Sequence, residues 1–221
     1  MRFAPRPWAF AAEWRADIDA YFAGLQRQKP AIWNGRVLLL YSHEIANGVF
    51  RGSYLETDYA SFSAWIHWGC PDATMRDCFA AAAVLSADGA YLLGRMAAHT
   101  FNAGQIYFPA GTPDPADIAG GKVDLDFSVA RELKEETGLD AAEFTAEPGW
   151  TTVADGGLIV QIKVLRSNLP AEALRARVRE HLAREAKPEF DDICIVRGPK
   201  DFSPSMRAFV KAFLAQRFKG G

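Results

Sequence analysis

Residues 131–139 read Arg-Glu-Leu-Lys-Glu-Glu-Thr-Gly-Leu. Glu132, Glu135 and Glu136 stand at positions i, i+3 and i+4. A helix turns about 100° per residue, so the three carboxylates share an arc of roughly 100°. Like charges on one stripe repel, and a helix gains nothing locally from that arrangement. A cation set against the stripe removes the repulsion. Oxygen donors select a hard divalent ion such as Mg²⁺, which in turn favours phosphate substrates. A surface helix with several Glu and one Arg is otherwise only a solvated face. Against that reading, the Arg, three Glu, a glycine stop and an upstream Pro-x-Gly coincide here.

The surrounding residues read as one amphipathic helix. Asp124 or Asp126 suits the N-cap, where negative charge is favoured. Leu125, Val129 and Leu133 repeat at spacing four and form a buried stripe. Arg131 lies four residues before Glu135 and can orient that carboxylate. Gly138 is placed to take the left-handed conformation that ends a helix, with Leu139 as the hydrophobic contact after it.

The run resembles the second half of the Nudix box, Arg-Glu-apolar-x-Glu-Glu-x-Gly-apolar, and matches it from Arg131 to Leu139. Phe108-Pro109-Ala110-Gly111 is similar to the entry of that box, with Gly111 as its glycine. Two departures stand out. The family pattern places a Glu eight residues before the Arg, where this chain has Val123. The box glycine also lies further upstream, so Thr112 to Lys122 carries about six extra residues in a Pro/Gly/Asp-rich loop. Asp124 or Asp126 is a candidate for the missing carboxylate.

The resemblance implies an α/β fold, the Nudix α/β/α sandwich with a mixed sheet, preceded by an N-terminal α+β extension. It assigns Mg²⁺ (or Mn²⁺) to Glu132 and Glu136, with Glu135 as ligand or base and the Ala110 carbonyl as a further metal ligand. Water then attacks phosphorus, and its proton goes to a box Glu or to a later loop carboxylate. Glu189, in Lys-Pro-Glu-Phe-Asp-Asp, is the leading later candidate, and Arg131 supports the catalytic set. Arg95, at a strand end, is a candidate for a bidentate phosphate contact; a surface Arg is the plainer alternative. Among Trp65, Trp68, Phe101 and Tyr107, Phe101 and Tyr107 are candidates to stack on the substrate, although most such aromatics serve a core. A lone His99 in a loop is read as a hydrogen-bonding residue.

Length and composition agree with a soluble enzyme. The chain has 221 residues, enough for one large domain or a domain with a subdomain. Apolar residues make up 49%, sufficient for a full core, and the net charge of −2 indicates no basic surface for nucleic acid. No 18-residue apolar run suggests a membrane span, and the N-terminus does not resemble a secretory signal. Cys70, Cys78 and Cys194 are unclustered and read as reduced thiols of a cytoplasmic protein.

The chain divides near residue 75, into an extension over 1–75 and a Nudix domain over 76–221. The spacing predicts a helix from Phe10 to Gln28, strands Val37–Tyr41 and Val49–Leu55 about Asn47-Gly48, and an aromatic helix from Tyr59 to Trp68. Strands are predicted at Phe79–Leu85, Ala90–Arg95, Gln105–Pro109, Trp150–Val153, Leu158–Leu165 and Asp192–Val196, with helices at Ala171–Lys187 and Ser203–Phe218. The aromatic N-terminal region reads as a homodimer interface or a substrate lid.

The expected substrate is a nucleoside diphosphate linked to another moiety. Ile32-Trp33-Asn34-Gly35-Arg36, Phe50-Arg51-Gly52 and Thr57–Trp65 are similar to the leader of Nudix enzymes acting on UDP-sugars, and this type is placed ahead. Gly104-Gln105-Ile106-Tyr107-Phe108-Pro109-Ala110-Gly111 is similar to the entry of coenzyme A pyrophosphatases, and Pro-Ala-Gly also occurs in ADP-ribose pyrophosphatases. A catalytically impaired nucleotide sensor, suggested by Val123, is the alternative.

Overall fold

The computed structural model describes residues 1–30 and 32–219; Gly220 and Gly221, which close the predicted second domain, lie outside the described residues. In chain order the elements are β1 (Arg2–Phe3), α1 (Ala9–Glu13), α2 (Arg15–Gln28), β2 (Arg36–Ala46), β3 (Val49–Asp58), α3 (Tyr59–His67), β4 (Asp77–Leu85), β5 (Tyr91–Met96), β6 (Ile106–Tyr107), β7 (Ala110–Gly111), β8 (Ile118–Ala119), β9 (Lys122–Val123), α4 (Leu125–Thr137), β10 (Thr145–Ala146), β11 (Thr151–Asp155), β12 (Leu158–Arg166), α5 (Ala171–Leu182), β13 (Phe190–Val196) and α6 (Ala208–Lys219). The fold is α/β, with two sheets and six helices among the described residues. None of these helices is long and apolar enough to cross a membrane. The chain forms two compact units, residues 1–78 with 112–125 and 156–158, and residues 79–111 with 126–155 and 159–221.

The first unit is built on a hairpin. Asn47 (φ 52°) and Gly48 (φ 72°) form a two-residue turn of left-handed conformation, which sets the register Ala46↔Val49 between β2 and β3. Leu38, Leu39 and Leu40 are fully buried, as expected of an apolar run. Trp65 of α3 joins Ile18, Phe22, Leu39 and Leu55 in the same core. Asp58 caps α3 by accepting from the Ser61 N–H at 2.9 Å, and Arg15 grips Asp58 at 3.0 Å. The predicted helix over 10–28 is broken: Trp14 takes φ −100° and ψ 19°, separating α1 from α2.

Residues 112–122, predicted as a loop, are ordered differently. A short 3-10 turn over Pro115–Asp117 is capped by Asp114, whose carboxylate accepts from the Ala116 N–H at 2.6 Å. A tight hairpin follows, with Gly120 and Gly121 at positive φ. Its strands β8 and β9 extend the first sheet, which runs β2-β3-β1-β9-β8. Strand β1 is clasped in the middle, parallel to β3 and antiparallel to β9. Two-residue strands carry too little periodicity to be read from sequence, and only pairing with neighbours reveals them.

The second unit carries an eight-stranded sheet, β10-β12-β4-β5-β13, with β11 beside β12, β6 beside β5 and β7 beside β4. Helix α5 packs on β13 and β5, and α6 packs on β11. Helix α5 has Pro170 ahead of it and no cap of its own; Asp88, in the β4–β5 turn, accepts from the Ala171 N–H at 2.8 Å and supplies one. The predicted extension of α5 to Lys187 fails, because the helix ends at Leu182. Pro188 disfavours a helical conformation at Lys187 itself, five residues beyond that end. Gly94 of β5 is required by packing, since a Cβ there would lie 2.3 Å from the Phe190 ring of β13.

Trp65 is fully buried, and its indole N–H donates to the Asp72 carbonyl at 3.2 Å. Trp65→Ala is expected to destabilise the protein by about 3–5 kcal/mol. Urea unfolding checks this, and a midpoint unchanged from wild type would refute it.

Candidate active site

Helix α4 presents two faces. Leu125, Val129 and Leu133 are buried, as their spacing predicts. The acidic stripe beside them, Glu132 and Glu136, meets strand β7. The Ala110 N–H donates to Oε2 of Glu136 at 2.9 Å, and Glu136 is only 5% exposed. Gly111 lies directly over the stripe: a Cβ there would sit 2.1 Å from Oε1 of Glu132. Strand β7 is itself seated by pairing with Ala81 and Ala80 of β4, two fully buried alanines. The Pro-Ala-Gly entry and the Glu-rich helix, read apart in the sequence, are thus in contact.

Burial raises the Glu136 carboxyl well above the ordinary carboxylate range, and the charges of Glu132 and Glu189 push it further. The Ala110 N–H works in the opposite sense, and Glu135 adds a smaller upward push. Glu189 thus acts on the buried member of the stripe from a different part of the chain. Its main chain is fixed by the Ala97 N–H, which donates to the Glu189 carbonyl at 2.8 Å, while its side chain is exposed.

Arg131 serves two carboxylates, lying 2.9 Å from Oε1 of Glu132 and 3.2 Å from Oε2 of Glu135. The predicted Arg131–Glu135 pair is present; the pair with Glu132, one residue on, does not follow from helical spacing. Glu135 is exposed, unlike Glu136. The helix stop also behaves as expected. Gly138 adopts φ 70°, and a Cβ there would meet the His181 ring at 2.6 Å, so both conformation and space exclude a side chain. Nε2 of His181 lies 3.2 Å from the Glu135 carbonyl and holds this end of the helix.

Among the described residues, no group of three or more His, Cys, Asp and Glu side chains is gathered closely enough to hold a metal by itself. The donors that do converge are carboxylate oxygens, one buried and raised by its acidic neighbours. Space for the Glu132 carboxylate exists only because residue 111 lacks a side chain. Hard oxygen donors in a negative, partly dry cradle fit a hard divalent cation, and Mg²⁺ needs only one or two carboxylates when substrate phosphates and waters complete its shell.

The remaining predicted residues separate. Tyr107 is buried, and its phenol accepts from the Asn102 amide at 3.3 Å. Burial raises that phenol, the Asn102 contact lowers it, Glu136 and Glu189 raise it further, and Arg207 opposes them. Tyr107 therefore stands in the field of the acidic stripe. Phe101 is exposed, as is His99. Arg95 is held at 2.6 Å by Asp191, with Asp192 at 3.9 Å. In sequence those two aspartates read only as the lead-in to the last strand, so the neutralised charge of Arg95 is not legible there. Arg207 and its partner Gln105 are joined at 2.9 Å, and nothing in sequence links positions 102 residues apart.

Val123 marks the departure from the box. It is buried in β9, where its N–H donates to the Met1 carbonyl at 3.0 Å. The position at which the pattern calls for Glu is thus an apolar strand residue. Of the two carboxylates proposed in its place, Asp126 faces Nζ of Lys163 at 3.5 Å, and Asp124 directly precedes α4.

No family model matches the chain, and no curated protein does. Solved structures similar to it include the MutT protein of Methanosarcina mazei Go1, at 20% identity and TM-score 0.43 over 66% of this chain and 94% of that one. They include also the Nudix hydrolase RenU of M. smegmatis, at 18% and 0.42 over 66% and 84%, and an Ap4A hydrolase of C. elegans, at 17% and 0.40 over 54% and 79%. Likenesses this distant carry no activity to this chain.

Proposed function

We propose that the chain is a Mg²⁺-dependent (or Mn²⁺-dependent) pyrophosphohydrolase that cleaves a nucleoside diphosphate linked to another moiety, with the UDP-sugar type ahead. One observation carries the reading: Glu136 is buried against the Ala110 N–H while Glu132 fills the space left by Gly111. A helix built only for solubility would not sink a carboxylate among other carboxylates, because the desolvation is costly without a compensating cation.

Glu132, Glu136 and the Ala110 carbonyl are the groups that would hold the ion. When bound, the ion neutralises phosphate charge and lowers the pKa of a coordinated water. The protein's own residues do the rest. Arg131 keeps Glu132 and Glu135 in fixed directions. Gly111 and Ala110 hold the acidic stripe against a strand rather than leaving it in solvent. Glu189 is assigned the proton of the attacking water, because its carboxylate acts on Glu136 from outside the helix and remains accessible. The water oxygen adds to one phosphorus, the bond from that phosphorus to the bridging oxygen breaks, and the two halves leave as phosphate monoesters. The alternative, a nucleotide sensor without turnover, is favoured only by buried Val123.

A mass-spectrometric screen of UDP-glucose, GDP-mannose, ADP-ribose, coenzyme A, NADH and dinucleoside polyphosphates with Mg²⁺ and Mn²⁺ tests this reading. Cleavage of at least one compound, abolished by chelator and reduced about 100-fold or more in Glu136→Gln, is expected. Retention of a nucleotide with no cleavage of any compound would sink the hydrolase and leave the sensor.

Glu136→Gln has a second consequence. A carboxyl whose folded-state pKa is raised stays protonated while the unfolded chain ionises, so its burial costs stability as pH rises above the unfolded value near 4.5. The metal-free Glu136→Gln variant is therefore expected to melt higher than metal-free wild type at neutral pH, with the difference vanishing near pH 4. Thermal unfolding across that range in chelator decides it; a lower melting point at pH 7 is the contrary result.

Gly111→Ala separates site from fold. The added methyl meets the end of a flexible side chain, so Glu132 must swing away while the backbone stays. A large loss of turnover with a melting temperature within a few degrees of wild type is expected; full activity would show that Glu132 does not need its present place.

A further inference from the structure

A diphosphate approaching this site meets Glu132, Glu135, Glu136 and Glu189, and the protein must offer it positive charge. Arg131 is committed to Glu132 and Glu135, and Arg95 to Asp191 and Asp192. Arg207 differs from both. Its one side-chain hydrogen bond is to a neutral group, from Nη1 to Oε1 of Gln105 at 2.9 Å, and no carboxylate among the described residues lies within ion-pair distance of it. An arginine has five N–H donors in a planar fork, so a single bond to an amide oxygen leaves most of that fork for a ligand. The residue is half-buried, which limits its freedom without sealing it from solvent.

Its place is fixed by main-chain contacts. The Arg207 N–H donates to the Ile106 carbonyl at 3.2 Å, and the Ile106 N–H donates to the Ser205 carbonyl at 2.9 Å. Met206 bridges Ile106 in parallel. Arg207 is therefore laid along β6, whose next residue is Tyr107 and whose chain continues within four residues to Ala110 and Gly111. Ile106, to which Arg207 is hydrogen-bonded, and Tyr107 make up the same two-residue strand, and Ala110, which meets Glu136, follows three residues after Tyr107.

We propose that Arg207, positioned by Gln105, is the arginine that grips the diphosphate of the substrate. The assignment rests on the pyrophosphohydrolase reading and names the residue that this reading otherwise lacks. Gln105 is a positioning residue: it holds the fork in place and contributes no charge. A guanidinium paired to an amide keeps its full charge for the phosphate, whereas one paired to a carboxylate does not.

The test uses the full chain with Mg²⁺, turnover of ADP-ribose and UDP-glucose, and calorimetric binding of α,β-methylene-ADP, a diphosphate that cannot be cleaved at its bridge. Arg207→Gln is expected to raise KM and weaken binding of the analogue by about 10- to 100-fold, the worth of a charged hydrogen-bonded contact. Arg207→Lys is expected to recover part of that loss, since it keeps the charge and loses the fork. Gln105→Ala is expected to raise KM less and leave kcat near wild type. Melting temperatures of all three report whether folding is intact; if Arg207→Gln unfolds, Arg207→Lys and Gln105→Ala carry the comparison. Unchanged KM and unchanged analogue affinity in a folded variant with turnover overturn the role of Arg207 and leave the hydrolase standing. A loss confined to kcat and equal in Lys and Gln variants overturns it also, as the mark of a structural part. Wild type that neither cleaves nor binds any of these three diphosphates overturns the grip of Arg207 on them, and the wider substrate screen then decides the hydrolase separately.

Discussion

The site depends on a contact between a strand with no side chain at the critical point and a helix with too many charges. Gly111 lets β7 lie against the stripe of α4, and the Ala110 N–H reaches the Glu136 carboxylate. An ionised carboxylate in a dry position would cost several kcal/mol without a partner. One backbone N–H and a raised pKa offset only part of that. The arrangement is thus held by its covalent surroundings in a state that a cation would relax. The alanines of β4 seat the strand, while the left-handed Gly138 and the His181 contact fix the end of the helix.

The extra residues after Gly111 show how a motif can be lengthened without being lost. They do not hang as a loop. They fold into a capped turn and a hairpin whose strand β9 pairs with β1 and carries Val123 inward. An apolar side chain at that position contributes burial of roughly 1.5–3 kcal/mol that a glutamate could not. Stability of the first unit and a full set of box carboxylates compete for one residue, and here stability holds it. The carboxylates that stay, Glu132 and Glu136, are those that meet β7.

What is legible in the sequence follows the range of the interactions. The box helix, its buried stripe, its glycine stop and the Asn47-Gly48 turn are set by residues within a few positions of each other, and each lies where spacing places it. Long apolar strands are legible for the same reason. Strands β1, β8, β9 and β10 escape a sequence reading because two residues have no period, and their existence depends on partners far along the chain. The break at Trp14 and the early end of α5 escape it because helical spacing continues through both. At the site, the stripe can be named but not its environment: nothing local says that Glu136 is buried while Glu135 is exposed. Nor does it say that Asp191 occupies Arg95.

That last point bears on how charged residues near such a site should be weighed. Counting arginines near a phosphate site treats every guanidinium as equal, but a ligand sees only the charge its neighbours leave. Arg95 stands on a strand end and reads from sequence as the natural phosphate contact, yet two aspartates of β13 flank it. Drawing it to a phosphate would strand Asp191, while Asp192 keeps Arg179 at 2.8 Å, and the exchange of one anion for another gains little. Arg207 has no such debt, since releasing an amide oxygen to water costs far less than releasing a carboxylate. The same comparison applies to Arg131, whose two carboxylates keep it part of the acidic stripe. Among these three guanidiniums, the one with the weakest claim in sequence therefore has the strongest claim in charge.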